Sequence, residues 1–114
     1  MEFETFDPEL MNMINVMTQH EVTTNRGTFT PQGYSWGAQF TEEGSGAIRF
    51  ISYNEEEQNL SVEFSTSNVV YNYVPLNDSA EQLRKEALSV IQDNQGSIGT
   101  LLNQLLRNNQ LQLL

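Results

Sequence analysis

The stretch that decides the fold is Tyr71-Asn72-Tyr73-Val74-Pro75, and it is followed by the spaced set Ser97-x-Gly99-x3-Asn103-x3-Arg107. The first stretch has the side-chain period of a strand and stops at a proline, which is typical of the last strand of a small sheet. The second set spaces its polar residues so that they share one side of a helix. The sequence therefore predicts a sheet followed by helices.

Runs upstream of this strand predict the rest of the sheet. Residues 47–53 are rich in β-forming side chains, and residues 60–64 alternate apolar with polar side chains. The polar turn at 54–59 between them is short, so we expect antiparallel neighbours. Residues 21–46 are rich in threonine, glycine and glutamine. The alternation over 34–40 predicts a strand within a region of strands and loops.

Three segments carry the spacing of a helix. Asp7-Pro8 is a helix start, and apolar residues continue at helical spacing to about residue 20. A second helix is predicted over 79–92, and a third begins at Ser97. We expect an α+β fold, a small antiparallel β-sheet meander of about three to five strands with helices packed on one face.

The composition excludes several classes of site and function. The chain has 114 residues and 38% hydrophobic residues, which suits one folded domain. It has no cysteine, so disulfides, thiolate zinc sites and cysteine nucleophiles are excluded. No apolar run is long enough to cross a bilayer, and the first residues are acidic rather than those of a signal peptide. We expect a cytoplasmic protein without a membrane partner.

The formal net charge is −10, with only five basic residues. Long nucleic acids are held mainly by lysine and arginine on phosphates, so this charge argues against such a partner. A single small anion is different, because one or two arginines and a few backbone N–H groups can hold it. The net charge is therefore compatible with a small nucleotide-type ligand.

From Ser45 to Arg107 the order of features resembles the KTSC domain, a short module without a settled biochemical activity. We therefore divide the chain into an N-terminal helix and strand or loop extension, 1–44, and a KTSC-like core with a leucine-rich C-terminal helix, 45–114. RNA binding is suggested for the family, and the acidic charge of this chain argues against it. The resemblance is carried by Ser45, Ala47, Ile48, Tyr53, Leu60, Val62, Phe64, Tyr71, Tyr73, Val74, Pro75, Ser97, Gly99, Asn103 and Arg107.

A second resemblance rests on architecture alone. A small antiparallel sheet followed by two helices is similar to phage proteins that counter the Thoeris defence. Those proteins assemble into oligomers and sequester cyclic nucleotide signals. This resemblance implies a sponge that binds its ligand without turnover.

The last helix contains the candidate phosphate site. Its start, at Ser97 and Gly99, offers free backbone N–H groups, which favour an anion. Asn103 and Arg107 lie on the same side of the helix, and Arg107 can form a bidentate clamp. The alternative is an ordinary N-cap and an arginine paired with an acid.

Four further residues complete the candidate ligand site. Tyr71 and Tyr73 point to the same side of their strand, where they can stack on a base or form part of the core. Arg26, in the turn before Gly27, and Arg49, between two apolar residues, are candidates to reach a ligand from a neighbouring subunit. Each is alternatively a solvated surface residue or a partner of a carboxylate.

The sequence offers no catalytic residues, metal ligands or cofactor motif. His20 is the only histidine, so no serine has a histidine base and no second His or Cys can complete a metal site. The acidic runs 42–43 and 55–57 lack the ligand spacing of a calcium loop. We expect a protein that is not an enzyme and uses no cofactor.

Leucines dominate the end of the chain. Those at 101, 102, 105, 106, 111, 113 and 114 predict an apolar surface, and we expect a homo-oligomer through this C-terminal leucine-rich helix. The leading hypothesis is an oligomeric, non-enzymatic protein that holds a small nucleotide-type anion. The alternatives are an acidic protein-interaction module that mimics nucleic acid, or an RNA-binding module.

Overall fold

The computed structural model describes residues 20–67 and 69–114. The helix predicted from residue 8 to about 20 lies outside the described residues except for His20, which is exposed. No helix in the described ranges combines the length and the apolar character that crossing a bilayer requires.

Seven strands form one antiparallel sheet in which each strand pairs with the next along the chain. Turns of two residues join the first three strands, longer loops join the third strand through to the sixth, and a helical segment joins the sixth strand to the seventh. The strands are β1 (Val22–Thr24), β2 (Gly27–Gln32), β3 (Ser35–Phe40), β4 (Ile48–Asn54), β5 (Asn59–Phe64), β6 (Val70–Pro75) and β7 (Leu111–Leu113).

Two helices separate β6 from β7 and pack on one face of the sheet. Helix α1 (Ser79–Asp93) buries Leu83, Ala87 and Ile91, which recur at helical spacing. It ends at Asn94, whose left-handed conformation (φ 55°) closes the last turn. Helix α2 (Ile98–Arg107) buries Ile98, Leu102 and Leu105.

The register of the sheet gives it one apolar and one polar face. Phe29, Ala38, Ile51 and Val62 stand opposite one another on four neighbouring strands, and all four are buried under the helices. We call this side the core face. The intervening positions, rich in threonine, serine, asparagine and glutamine, form the opposite side, which we call the outer face.

A β-bulge in β4 keeps both of its isoleucines on the core face. Ile48 pairs with Phe64, whereas Phe50 pairs with Glu63, so one extra residue, Arg49, is inserted between them. Ile48 and Ile51 are three apart and would otherwise point to opposite faces. Both are fully buried.

The α+β prediction is confirmed, but the sheet has seven strands rather than three to five. Residues 21–46 form three of the seven strands, because the short runs there pair with one another as consecutive hairpins. The leucine tail supplies another: Asn109 turns the chain with a φ of 56°, and Leu111–Leu113 then pairs with β6. The sheet is continuous across residue 44, the boundary expected between extension and core.

The leucines of α2 pack within their own subunit. Leu102 and Leu105 are buried, and Leu101 and Leu106 pack against the core as partly buried residues. The helix expected to drive self-association therefore packs its apolar side within its own subunit. Within residues 20–67 and 69–114, the exposed leucines are Leu113 and Leu114, at the end of the chain.

Candidate functional site

The start of α2 is already occupied by a carboxylate of the same chain. Ser97 is the N-cap, and its hydroxyl accepts a hydrogen bond from the Thr100 N–H at 3.2 Å. The Ser97 N–H donates to a carboxylate oxygen of Glu86, which projects from α1, at 2.8 Å. A negative charge stabilises a helix start, and Glu86 supplies it here.

The other two residues of the predicted phosphate site lie toward the opposite end of α2. Eight residues separate Gly99 from Arg107, which at 1.5 Å per residue is about 12 Å along the helix axis. Asn103 and Arg107 are both exposed, and Arg107 makes no ion pair with any described residue. A single phosphate group therefore cannot contact the N-terminal N–H groups and this arginine together.

The two tyrosines of β6 have different environments. Tyr73 is buried at 6% exposure, whereas Tyr71 is 38% exposed and meets the Phe64 ring edge-on at 5.7 Å. Burial raises the pKa of the Tyr73 phenol above its ordinary value, and Tyr71 raises it further. Tyr73 belongs to the core, so the pair does not form an exposed stacking platform.

Arg26 caps the end of α1. Its Nε donates to the Val90 carbonyl at 3.0 Å, and one terminal nitrogen donates to the carbonyls of Ile91 and Gln92 at 3.0 and 3.3 Å. The Thr24 hydroxyl also donates to the Ile91 carbonyl. A positive charge is favoured at a helix C-terminus, so this arginine binds the first hairpin to the helix.

Arg49 is engaged on the bulge of β4. It forms an ion pair with Glu63 at 3.2 Å and donates to the Ser65 carbonyl at 3.0 Å. Neither Arg26 nor Arg49 is thus left free to reach a ligand in a neighbouring subunit. Among the predicted site residues, only Asn103 and Arg107 come together with exposed, unused polar groups.

A cavity among the described residues lies on the outer face, where the sequence predicts no site. It is an open cleft of about 420 Å³ across β2, β3 and β4. That volume falls within the range of small-molecule sites. The lining residues are Thr28, Thr30, Gln32, Ser35, Trp36, Gly37, Gln39, Phe50, Ser52, Tyr53 and Asn54.

Gly37 forms a depression in the middle of this cleft. A Cβ at Gly37 would lie 3.8 Å from both the Phe50 ring and the Ser52 Cβ, which is ordinary contact. The backbone there has no positive φ, so no conformational reason demands glycine. The missing side chain leaves space beside an aromatic ring that is 38% exposed.

The lining offers hydrogen bonds and a ring, with little charge. Tyr53 is its only ionisable residue, and burial, with a smaller contribution from the Glu55 carboxylate, raises its pKa. The side chains of Gln32, Gln39 and Ser52 make no hydrogen bond to described residues, so their donors and acceptors are available. Such a set suits an uncharged polar ring better than a phosphate.

One residue of the sequence, Gly37, points to this cleft, although the alternating pattern alone does not identify it. Gly37 interrupts an alternating strand at a position facing away from Trp36 and Ala38, where strands seldom place glycine without a reason. The glycine and Phe50 become neighbours only once the β3–β4 register is known. Among the described residues, no cluster of His, Asp and Glu is placed to hold a metal ion.

Comparison of the chain with protein-family models, curated proteins and solved structures gave no match. The resemblances to the KTSC domain and to the cyclic nucleotide sponges therefore stay predictions from the sequence. We therefore infer the function from the geometry of the cleft and of α2.

Proposed function

We propose that the protein is a non-enzymatic binding protein that holds a small polar ring ligand in the outer-face cleft. The ligand class is a sugar or the nucleoside part of a nucleotide. The observation that supports this best is Gly37, a strand glycine that leaves room beside the exposed Phe50 ring without any backbone need for it. The hydroxyl and amide groups around the Phe50 ring orient the ligand through hydrogen bonds.

The chemistry of the lining favours binding over turnover. Acid–base catalysis needs a titratable group near the reacting atoms with a pKa close to working pH. The one ionisable lining residue, Tyr53, has a pKa shifted upward, away from neutrality. An aromatic face with amides and hydroxyls stacks and orients a ring, and these interactions do not depend on charge.

The test is binding of saccharide and nucleoside probes, measured by saturation-transfer NMR. Gly37→Val fills the depression with a β-branched side chain that a strand accommodates, so binding should be lost while the fold is kept. Thr23→Ser lies on the same outer face but outside the cleft, keeps the hydroxyl that meets the lining residue Thr28, and should bind as the wild type does. Equal binding by both variants would overturn the proposal.

A second candidate is an anion site on the exposed side of α2. Arg107 makes no ion pair among the described residues, and Asn103 is exposed one turn before it. A phosphate-bearing ligand, including a cyclic nucleotide held by a sponge, would contact this pair. Titration with cyclic nucleotides separates the sites, because Arg107→Ala should abolish anion binding and Gly37→Val should not.

The ligand can also be identified without choosing a probe compound in advance. Native mass spectrometry of the protein purified from cells, followed by denaturation, identifies any released small molecule. A stoichiometric sugar or nucleoside supports the cleft, and a nucleotide lost in Arg107→Ala supports the helix site. No bound mass and no probe binding favours the acidic protein-interaction module instead.

A further inference from the structure

A second cavity lies where α1 begins, at one end of the sheet. It has a volume of about 200 Å³ and is formed by the β2–β3 turn, the end of β4 and the first residues of α1. Aromatic rings and carboxylates line it together. The lining residues that carry these groups are Tyr34, Trp36, Tyr53, Glu55, Asp78 and Glu81.

The aromatic part of this lining comes from two neighbouring strands and the turn beside them. Trp36 pairs with Tyr53 across β3 and β4, so the two side chains stand next to each other on the core face. Trp36 is only 3% exposed and lies deep in the cavity, whereas Tyr34, in the β2–β3 turn, is 48% exposed. The faces of tryptophan and tyrosine rings attract cations.

Two of the three carboxylates are not neutralised by a described cation. Both oxygens of Glu81 accept hydrogen bonds from Arg84, so that pair carries no net charge. Asp78 precedes α1 without a side-chain bond to the helix N–H groups, and it accepts one hydrogen bond, from the Gln82 amide. The Glu55 carboxylate makes no ion pair with a described residue. The helix start offsets only about half an elementary charge, so the cavity stays negative.

The arrangement of the carboxylates indicates which kind of cation fits. Among the described residues, no three acidic or histidine side chains converge closely enough to hold a metal ion. Carboxylates set apart around aromatic rings suit instead a cation whose charge is spread over an apolar body, as in quaternary ammonium groups. The volume is below the range of about 300–1,000 Å³ for drug-sized ligands, so it suits a small head group.

We propose that this cavity, which we call the ammonium cavity, binds the head group of an organic cation, a quaternary ammonium or methylated amine. The rings contact the methyl groups, and Glu55 and Asp78 supply the opposite charge. The formal net charge of −10 favours a cationic ligand over an anion. The same head group occurs on free small molecules and on methylated lysine side chains, and the chemistry of recognition is shared.

The test is a fluorescence titration with choline chloride. Trp36 is the only tryptophan of the chain, so its emission reports on the ammonium cavity. Choline should change this emission saturably. Its uncharged isostere, 3,3-dimethylbutan-1-ol, should bind at least about tenfold more weakly because it lacks the positive charge. A peptide with a trimethylated lysine separates the two sources: tighter binding than choline assigns the cavity to a protein side chain, and weaker binding assigns it to a free cation.

Variants locate the binding. Tyr34→Ala removes an exposed ring and Glu55→Gln removes a charge, and each should weaken choline binding by about threefold or more. Glu57→Gln is the matched control, because it makes the same charge change in the same turn outside the cavity. Gly37→Val fills the outer-face cleft and should bind choline as the wild type does.

Circular dichroism checks that each variant is folded, and Glu55→Gln carries the test if Tyr34→Ala is not. Three results overturn the proposal: no saturable response of the wild type to choline or the peptide, equal binding of choline and its uncharged isostere, or equal losses in Glu55→Gln and Glu57→Gln. The proposal is independent of the ligand cleft, since loss of choline binding in Gly37→Val alone would place the cation in that cleft and overturn the ammonium cavity.

Discussion

Gly27 and Gly37 are glycines of neighbouring strands that serve different physical needs. Gly27 begins β2 with a φ of 148°, and a Cβ there would overlap the Gln39 carbonyl oxygen. Gly37 has an ordinary strand conformation with ample room for a Cβ. The first glycine is required by the backbone geometry, whereas the second has no such requirement and leaves open space in the cleft.

Alanine at the two positions should therefore have opposite effects on the free energy of unfolding. Gly27→Ala forces a strained backbone and a clash, and should lower this free energy by about 2 kcal/mol or more. Gly37→Ala removes the conformational entropy cost of a strand glycine and should raise it by about 0.5–1 kcal/mol. Urea denaturation measures both. Destabilisation by Gly37→Ala would show that the glycine has a structural role after all.

At the scale of the elements, the first hairpin and the end of α1 hold each other in place. Hydrogen bonds from Arg26 and Thr24 satisfy carbonyls that the last helical turn leaves without partners. These contacts join residues more than sixty positions apart in the chain. The turn Asn25–Arg26 thus fixes where the helix lies on the sheet.

Arg26→Ala should lower the free energy of unfolding by about 2–3 kcal/mol, because it removes charged hydrogen bonds and leaves helix carbonyls without donors. Arg49→Ala is the matched control. It removes an exposed ion pair with Glu63 and should cost less than about 1 kcal/mol. Urea denaturation of both variants checks the order. Equal losses would mean that Arg26 contributes no more than a surface charge.

Much of the fold could be predicted from local patterns. Strand β5 and helix α1 show clear periods of two and 3.6, and Ser97 is the N-cap expected. Strand β7 could not be predicted, because three residues after a leucine-rich helix are too short a pattern to separate from helix. The cleft depends on the register between β3 and β4, which no single segment contains.

At the scale of the whole molecule, an excess of negative charge surrounds a small core. The chain has fifteen acidic and five basic residues, and at least three of its arginines form an ion pair or cap a helix. The turn between β4 and β5 adds three adjacent glutamates, Glu55 to Glu57, all exposed. Like charges at this density repel one another more in the folded state than in the expanded chain.

The melting temperature should therefore rise by a few degrees when salt is added to a dilute buffer, because ions screen this repulsion. Glu56→Lys changes the formal net charge from −10 to −8, since it replaces one negative charge with one positive charge. That variant should melt higher than the wild type at low salt and respond less to added salt. Scans at one fixed protein concentration check this, because self-association also shifts melting. A salt response unchanged in Glu56→Lys would contradict the argument.

The sheet in which every strand lies beside its predecessor also has a consequence for synthesis on the ribosome. Each new strand finds its partner already in place, so the sheet can grow in the order in which the chain emerges, with short loops closed one at a time. The helix that covers the core face arrives only after six strands have formed. Until then the nascent protein exposes Phe29, Ile51 and Val62 to water, and Arg26 lacks the helix carbonyls to which it donates in the folded protein.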